Sequence, residues 1–150
     1  MKLSPDNFLN IIDVTPLVSV DLIIENAAGE ILLGKRLNRP AQDFWFVPGG
    51  RIQKNETIEN AIKRVSKTEL GFELLLKDAQ LLGAYNHIYT DNFAAVDGIN
   101  THYVALGHKF ILPRKAQLKL DDQHEVIRWQ SIKSLLADED VHVNTKLYFQ

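Results

Sequence analysis

From Leu17 to Glu25 apolar residues recur at every second position, with Val18, Val20, Leu22 and Ile24 on one face and Ser19 and Asp21 among apolar neighbours on the other. That alternation predicts a β-strand. Asn26-Ala27-Ala28-Gly29 supplies turn residues, and Glu30 to Arg36 reads as the returning strand of a hairpin. Upstream, Ser4-Pro5-Asp6 puts a capping residue before a proline at the first helical position, and Phe8, Ile11 and Ile12 follow at helical spacing. A short helix ending before Pro16 is expected. Leu37 to Phe44 is polar, holds Arg39-Pro40 and reads as a loop, with Lys35, Arg36, Arg39 and Arg51 concentrating positive charge around it. Trp45-Phe46-Val47 is a short strand broken by Pro48-Gly49-Gly50, where glycine opens backbone conformations closed to other residues.

A long helix is expected from about Thr57 to Leu70, ending at Gly71 in the usual left-handed cap. Leu81 to Tyr89 and His102 to Leu112 are long β-like runs separated by the Asp91 to Asn100 loop, and Val126 to Trp129 is a further strand. Ser131 caps a helix through Ala137, and a last helical turn or two runs from Asn144 to Phe149. Mixed strands with one long helix in the middle and others at the ends predict an α/β (α+β) sandwich, one domain spanning residues 1–150.

Composition narrows the chemistry. Seventeen Lys and Arg against nineteen Asp and Glu give a net charge of -2, so no overall positive field draws in nucleic acid or an acidic membrane. The expected partner is a small molecule. The N-terminus has no signal-like apolar run and no window has membrane-spanning length, which predicts a cytoplasmic protein. The absence of cysteine excludes a disulfide framework, a thiolate zinc site and a Cys nucleophile together. What remains are carboxylates, five histidines, arginines, tyrosines, amides and a hard metal ion.

The middle helix carries the most information. At about 100° per residue counted from Glu56, Ile58, Ile62 and Val65 fall near 200°, 240° and 180° and form the core-facing stripe. Glu69 falls near 220° on the same count, inside that stripe. A carboxylate there, in a last turn already negative from the helix dipole, either meets a cation or donors or reaches solvent at a frayed end. Glu56 and Arg64 come out about 80° and more than two turns apart, so no direct pair is expected between them. Glu56 reads as an anion at the helix start that helps hold the loop, and Arg64 as a solvated helix residue or a phosphate ligand.

Gly50, Glu56, Arg64, Glu69, Gly71 and Phe72 have the spacing of the Nudix box, and on these residues the chain resembles the Nudix family. Val65 and Thr68 stand where that box normally has Glu, and Ser66 where it has an apolar residue. The segments PLVSVDLIIEN, GEILLGKRLNRPAQDFWFVPGGRIQKNET, ELGF, THYVALG, DDQH, IRW and DVHVNTKLYF resemble the GDP-mannose mannosyl hydrolase subfamily, which has the same altered box. That likeness runs from about Pro16 to Phe149.

The resemblance implies a Nudix fold, an α/β/α sandwich with a mixed β-sheet. It implies Mg²⁺-dependent hydrolysis of GDP-mannose, with GDP-glucose as a second candidate, to GDP and free hexose by water attack at the anomeric carbon with inversion. One Mg²⁺, replaceable by Mn²⁺, would be held by the backbone carbonyl of Gly49, the Glu69 carboxylate and the Gln123 amide oxygen. His124 would be the general base, since a histidine pKa near 6.5 suits that task at neutral pH. Taken alone, it is one histidine in a polar loop. Arg36 matches a residue that meets the diphosphate, Arg51 and Arg64 match further active-site arginines, and Tyr103 matches a hydroxyl donor to phosphate. Asp21 and His87 match residues near the sugar, and the subfamily implies a homodimer. Two other readings stay open: a pyrophosphatase cutting the P-O-P bond of a nucleotide sugar, and a non-catalytic nucleotide-sugar-binding module. The closing LYFQ aligns with the family's last helix and also resembles the remnant of a tag-cleavage site.

Overall fold

The computed structural model describes residues 2–112 and 126–150, so Gln123 and His124 lie outside the described residues. Helix α1 (Pro5–Val14) starts where expected, with Ser4 Oγ accepting from the Asn7 N–H. Strands β1 (Leu17–Glu25) and β2 (Glu30–Lys35) follow, joined by a turn in which Asn26 Oδ1 accepts from the N–H groups of Ala28 and Glu30. Next come β3 (Trp45–Phe46), β4 (Gly49–Arg51) and helix α2 (Ile58–Leu70). The helix is capped by Thr57 at its start and by left-handed Gly71, φ 85°, at its end. After a 3-10 turn at Leu76–Asp78, which the apolar pattern does not signal, come β5 (Gln80–Tyr89), β6 (Thr101–Ile111) and β7 (Ile127–Ser131). Helix α3 (Ile132–Ala137), helix α4 (Val143–Lys146) and a 3-10 turn at Leu147–Phe149 close the chain.

Among the described residues the strands form one seven-stranded sheet in the order β3-β2-β1-β6-β5, with β4 also pairing with β1 and β7 with β2. β1 and β6 run parallel from Leu17↔Tyr103 to Glu25↔Ile111 while the other pairs are antiparallel, so the sheet is mixed. Because β1 is central, alternation does not divide it into a wet and a dry side. Ser19 and Ile23 are buried on one face and Val20, Leu22 and Ile24 on the other, whereas Val18, at the strand's start, is 42% exposed.

Two apolar clusters sit on the two faces. Val20, Leu22, Ile24 and Leu32 pack with Ala61, Ile62, Val65 and Leu70 of α2. Ile23, Ile31 and Leu33 pack with Leu135, Val141 and Tyr148 of the C-terminal segment. Ile58 departs from its expected place in the stripe and is 39% exposed, because buried contacts of α2 begin one turn later at Ala61. Ser66 is buried without penalty: its hydroxyl donates to the Ile62 carbonyl at 2.6 Å and accepts from the Leu74 N–H at 2.8 Å.

One feature of the topology positions the site. β1 and β2 pair only at Glu25↔Ile31 and then part, β1 continuing against β4 and β2 against β3 and β7. The gap between the two diverging strands is the mouth of a cleft.

Candidate active site

The cleft has a volume of about 350 Å³ and is lined from both sides of the split. β1 contributes Asp21, the segment after β2 contributes Arg36, β4 contributes Gly49 and Arg51, the end of α2 contributes Glu69, and the far strands contribute His87 and Tyr103. Seven of the residues singled out in the sequence, from six separate stretches of chain, therefore meet in one place. Gln123 and His124 lie outside the described residues, and Arg64 is not among the lining side chains.

The glycines of PGG act through space, not through unusual backbone angles. Both belong to β4, and neither has a positive φ. A side chain on Gly49 would run into the Asp21 carboxylate and the Val20 carbonyl, and one on Gly50 would meet Val65 Cγ2 at 2.9 Å. The ladder also orients the carbonyls. Leu22 N–H donates to the Pro48 carbonyl and Ile52 N–H donates to the Val18 carbonyl, so even-numbered positions of this stretch face β1. By the same parity the Gly49 and Arg51 carbonyls turn away from β1, and that of Arg51 accepts from Arg64 Nη2 at 2.8 Å.

This bears on the metal implied by the family likeness. A backbone carbonyl directed off the ladder and a carboxylate at the end of α2 border the same cleft, and both are the hard oxygen donors that Mg²⁺ prefers. Among the described residues no group of three or more His, Asp or Glu gathers as an acidic metal cluster. The reason lies in the altered box. Val65 is buried beneath Gly50 and Thr68 faces solvent, leaving Glu69 as the box carboxylate that borders the cleft.

At the other side, Asp21 and His87 sit together, with His87 Nδ1 3.7 Å from Asp21 Oδ2. Burial pushes the Asp21 carboxyl up to about 6, against the pull of the Tyr148 hydroxyl and the Arg36 charge. Burial takes His87 down to about 4, helped by nearby His142, so its imidazole is neutral at neutral pH. Tyr89 is pushed up to about 12 and Tyr103 is also raised, both by burial, so both phenols keep their protons for donation. Arg36 lies over the Phe46 ring at 5.7 Å, and Arg51 over Phe8 at 5.0 Å, with Phe8 itself stacked on Phe93. Phe8, Phe46, Tyr89 and Tyr148 carry no signal of a site in the sequence. Each is an ordinary aromatic in an apolar pattern, and only the fold reveals what it touches.

Glu56 and Arg64 correct the sequence expectation, since they form a direct bidentate pair with Nε–Oε2 at 2.8 Å and Nη2–Oε1 at 2.9 Å. The expected structural role of Glu56 does hold: its Oε1 also accepts from the Gln53 N–H. Arg64 thus ties α2 to the loop after β4 from one layer behind the cleft. Arg64 holds the Glu56 carboxyl below its ordinary value, so the pair's stabilisation is present above the unfolded-state pKa and is lost as pH falls through the folded one. Arg64 is partly exposed, so solvent screening limits the effect. Glu56→Gln is expected to cost about 1 kcal/mol at pH 7 in denaturant unfolding, with the difference from wild type shrinking as pH falls below the ordinary glutamate range and the carboxylate is protonated in the folded state. A difference that persists at low pH would show that packing, not charge, carries it.

Comparison with known proteins agrees with this architecture. The NUDIX domain model matches residues 15–150. A Haloferax volcanii protein named low-salt glycan biosynthesis protein Agl8 is 38% identical over 128 residues, covering 85% of this chain and 78% of its own. An ADP-ribose pyrophosphatase of Methanocaldococcus jannaschii is 44% identical over 71 residues, covering 47% of this chain and 40% of its own. Among solved structures, a MutT NUDIX hydrolase from Burkholderia pseudomallei superposes with a TM-score of 0.68 at 27% identity, covering 89% of this chain and 95% of its own. The MutT protein of Methanosarcina mazei superposes with a TM-score of 0.71 at 22% identity over 91% and 92% of the two chains, a likeness of fold. The chain belongs to the Nudix family of hydrolases. Its mixed sheet flanked by helices is the Nudix fold, and members of the family generally use divalent ions such as Mg²⁺. Among the described residues no helix is long and apolar enough to cross a membrane.

Proposed function

We propose that this Nudix hydrolase converts GDP-mannose, with GDP-glucose as a second candidate, to GDP and free hexose. A water oxygen bonds to the anomeric carbon with inversion, the bond from that carbon to the diphosphate oxygen breaks, and the water's proton passes to His124. The observation that carries the reading is the fate of the box. With Val65 buried against Gly50 and Thr68 turned outward, the cleft keeps Glu69 and, among the described residues, has no carboxylate cluster of the kind that would make a metal-bound hydroxide to attack phosphorus.

The lining divides by chemistry. Arg36 and Arg51 suit phosphate oxygens, which their guanidinium forks can bind in pairs, and Tyr103 adds a hydroxyl donor. Asp21 and His87 suit sugar hydroxyls, because a carboxylate accepts from a hydroxyl and repels a phosphate. One Mg²⁺ held by the Gly49 carbonyl, Glu69 and Gln123 would offset charge growing on the departing diphosphate. An inverting displacement also needs a base across the sugar from the leaving group, the place assigned to His124. The glycan-biosynthesis relative from Haloferax volcanii supports a sugar-bearing substrate. On this reading the working form is a cytoplasmic homodimer of one domain, as in the subfamily it resembles.

Incubation with GDP-mannose and Mg²⁺, followed by anion-exchange chromatography, tests the assignment. GDP and mannose are the expected products. GMP with mannose phosphate would assign P-O-P cleavage instead, and binding without turnover would identify a nucleotide-sugar-binding module.

A further inference from the structure

Tyr148 stands 127 positions from Asp21 in the chain, yet its hydroxyl donates to Asp21 Oδ2 at 2.6 Å. The fold makes room for this contact. Tyr148 is 9% exposed in the C-terminal 3-10 turn, packed edge-on against Tyr85 and His87 with ring centroids 4.6 and 5.6 Å away. Its ring also lies over Gly107 of β6, where any Cβ would collide with it. A tyrosine so enclosed has little freedom to place its hydroxyl elsewhere. Its ring is part of the packed domain, whatever the resemblance of LYFQ to a tag remnant.

The bond divides the two carboxylate oxygens of Asp21. Oδ2 takes the phenol and faces His87, while Oδ1 lies over Gly49, whose missing side chain leaves it space beside the cleft. We infer that Tyr148 is a positioning residue that fixes the orientation of Asp21, so that one carboxylate oxygen is kept for a hydroxyl of the substrate's sugar. The hydroxyl, rather than the ring, carries this role. A phenylalanine would keep the packing on Gly107 and Tyr85 and would release Asp21 to rotate toward Arg36 or into the solvent of the cleft. The inference rests on the nucleotide-sugar reading of the cleft for its substrate and on the geometry alone for the orientation.

The test compares wild type, Tyr148→Phe, Asp21→Asn and the double variant. For GDP-mannose hydrolysis, Tyr148→Phe is expected to raise KM about five- to twenty-fold, as for loss of a charge-assisted hydrogen bond, with kcat changed less than about threefold. Binding of GDP, which has no hexose, should change less than about twofold by calorimetry. In the Asp21→Asn background the same substitution should add little, since the two residues act as a unit. Equal losses for GDP-mannose and GDP, an unchanged KM, or a full additional loss in the Asp21→Asn background would each overturn the inference. A crystal structure of ligand-free Tyr148→Phe gives a readout independent of substrate: Asp21 in a changed rotamer supports the inference, and Asp21 unmoved overturns it. A wild-type protein that binds no GDP-mannose would defeat the substrate assignment alone, and the Asp21 rotamer would still decide the role of Tyr148.

Discussion

Replacement of His124 by Gln is expected to lower kcat for GDP-mannose hydrolysis by about 10² to 10⁴, the usual worth of a general base, with Mg²⁺-dependent binding of GDP-mannose nearly unchanged. The described cleft explains why the effect should be large. His87 is neutral and, with its pKa at about 4, a weak proton acceptor. Tyr89 and Tyr103 hold their protons more firmly than free phenols, and the guanidinium groups of Arg36 and Arg51 have only donors. Glu69 is assigned to the metal. Among the described residues the remaining competitor is Asp21, whose pKa of about 6 would suit a base but whose Oδ2 already accepts from Tyr148. Steady-state kinetics decides between them: a loss of less than about tenfold in His124→Gln would move the proton transfer elsewhere, with Asp21 the next residue to replace.

Glu69→Gln is expected to raise the Mg²⁺ concentration needed for half-maximal activity by at least about 10- to 100-fold, the range seen when even an outer-shell partner of a metal ligand is lost. The amide keeps the shape and one oxygen donor but removes the negative charge that binds a divalent ion. The helix dipole strengthens the argument. Glu69 lies in the last turn of α2, where a carboxylate is disfavoured and a nearby cation relieves it. Titrating activity with Mg²⁺, and Mn²⁺ binding by calorimetry, checks the assignment. An unchanged metal requirement would make Glu69 a helix-end residue and shift the ion onto other donors.

Much of the fold was legible because local rules apply to it. The Ser4-Pro5 start of α1, the Asn26 turn, the Thr57 and Gly71 caps of α2 and the Ser131 cap of α3 all depend on residues within a few positions of one another. The Glu56–Arg64 pair was missed for a definite reason. Helical-wheel arithmetic counted from Glu56, but the helix starts at Ile58 behind its Thr57 cap, so Glu56 has no place on the wheel. From the turn it can meet a long arginine reaching back along the helix. Ile58 keeps its phase on the wheel but lies in the first turn, where α2 has not yet reached the core, and burial starts at Ala61.

The candidate site was legible residue by residue but not in its wiring. Asp21 stands among apolar neighbours in a strand, and an acid buried there needs a partner. No periodicity could name that partner, because Tyr148 reaches it only after the sheet has closed. The altered box was readable at Val65 and Thr68, yet its physical meaning came from packing. Val65 is buried beneath Gly50, where its methyls sit against the β4 backbone.

The proposed function turns on water attacking carbon rather than phosphorus. Hydrolysis of GDP-mannose in ¹⁸O-enriched water, with products analysed by mass spectrometry, tests it most directly. The label is expected in mannose and none in GDP. Label in a phosphate group would contradict it and return the chemistry to attack at phosphorus.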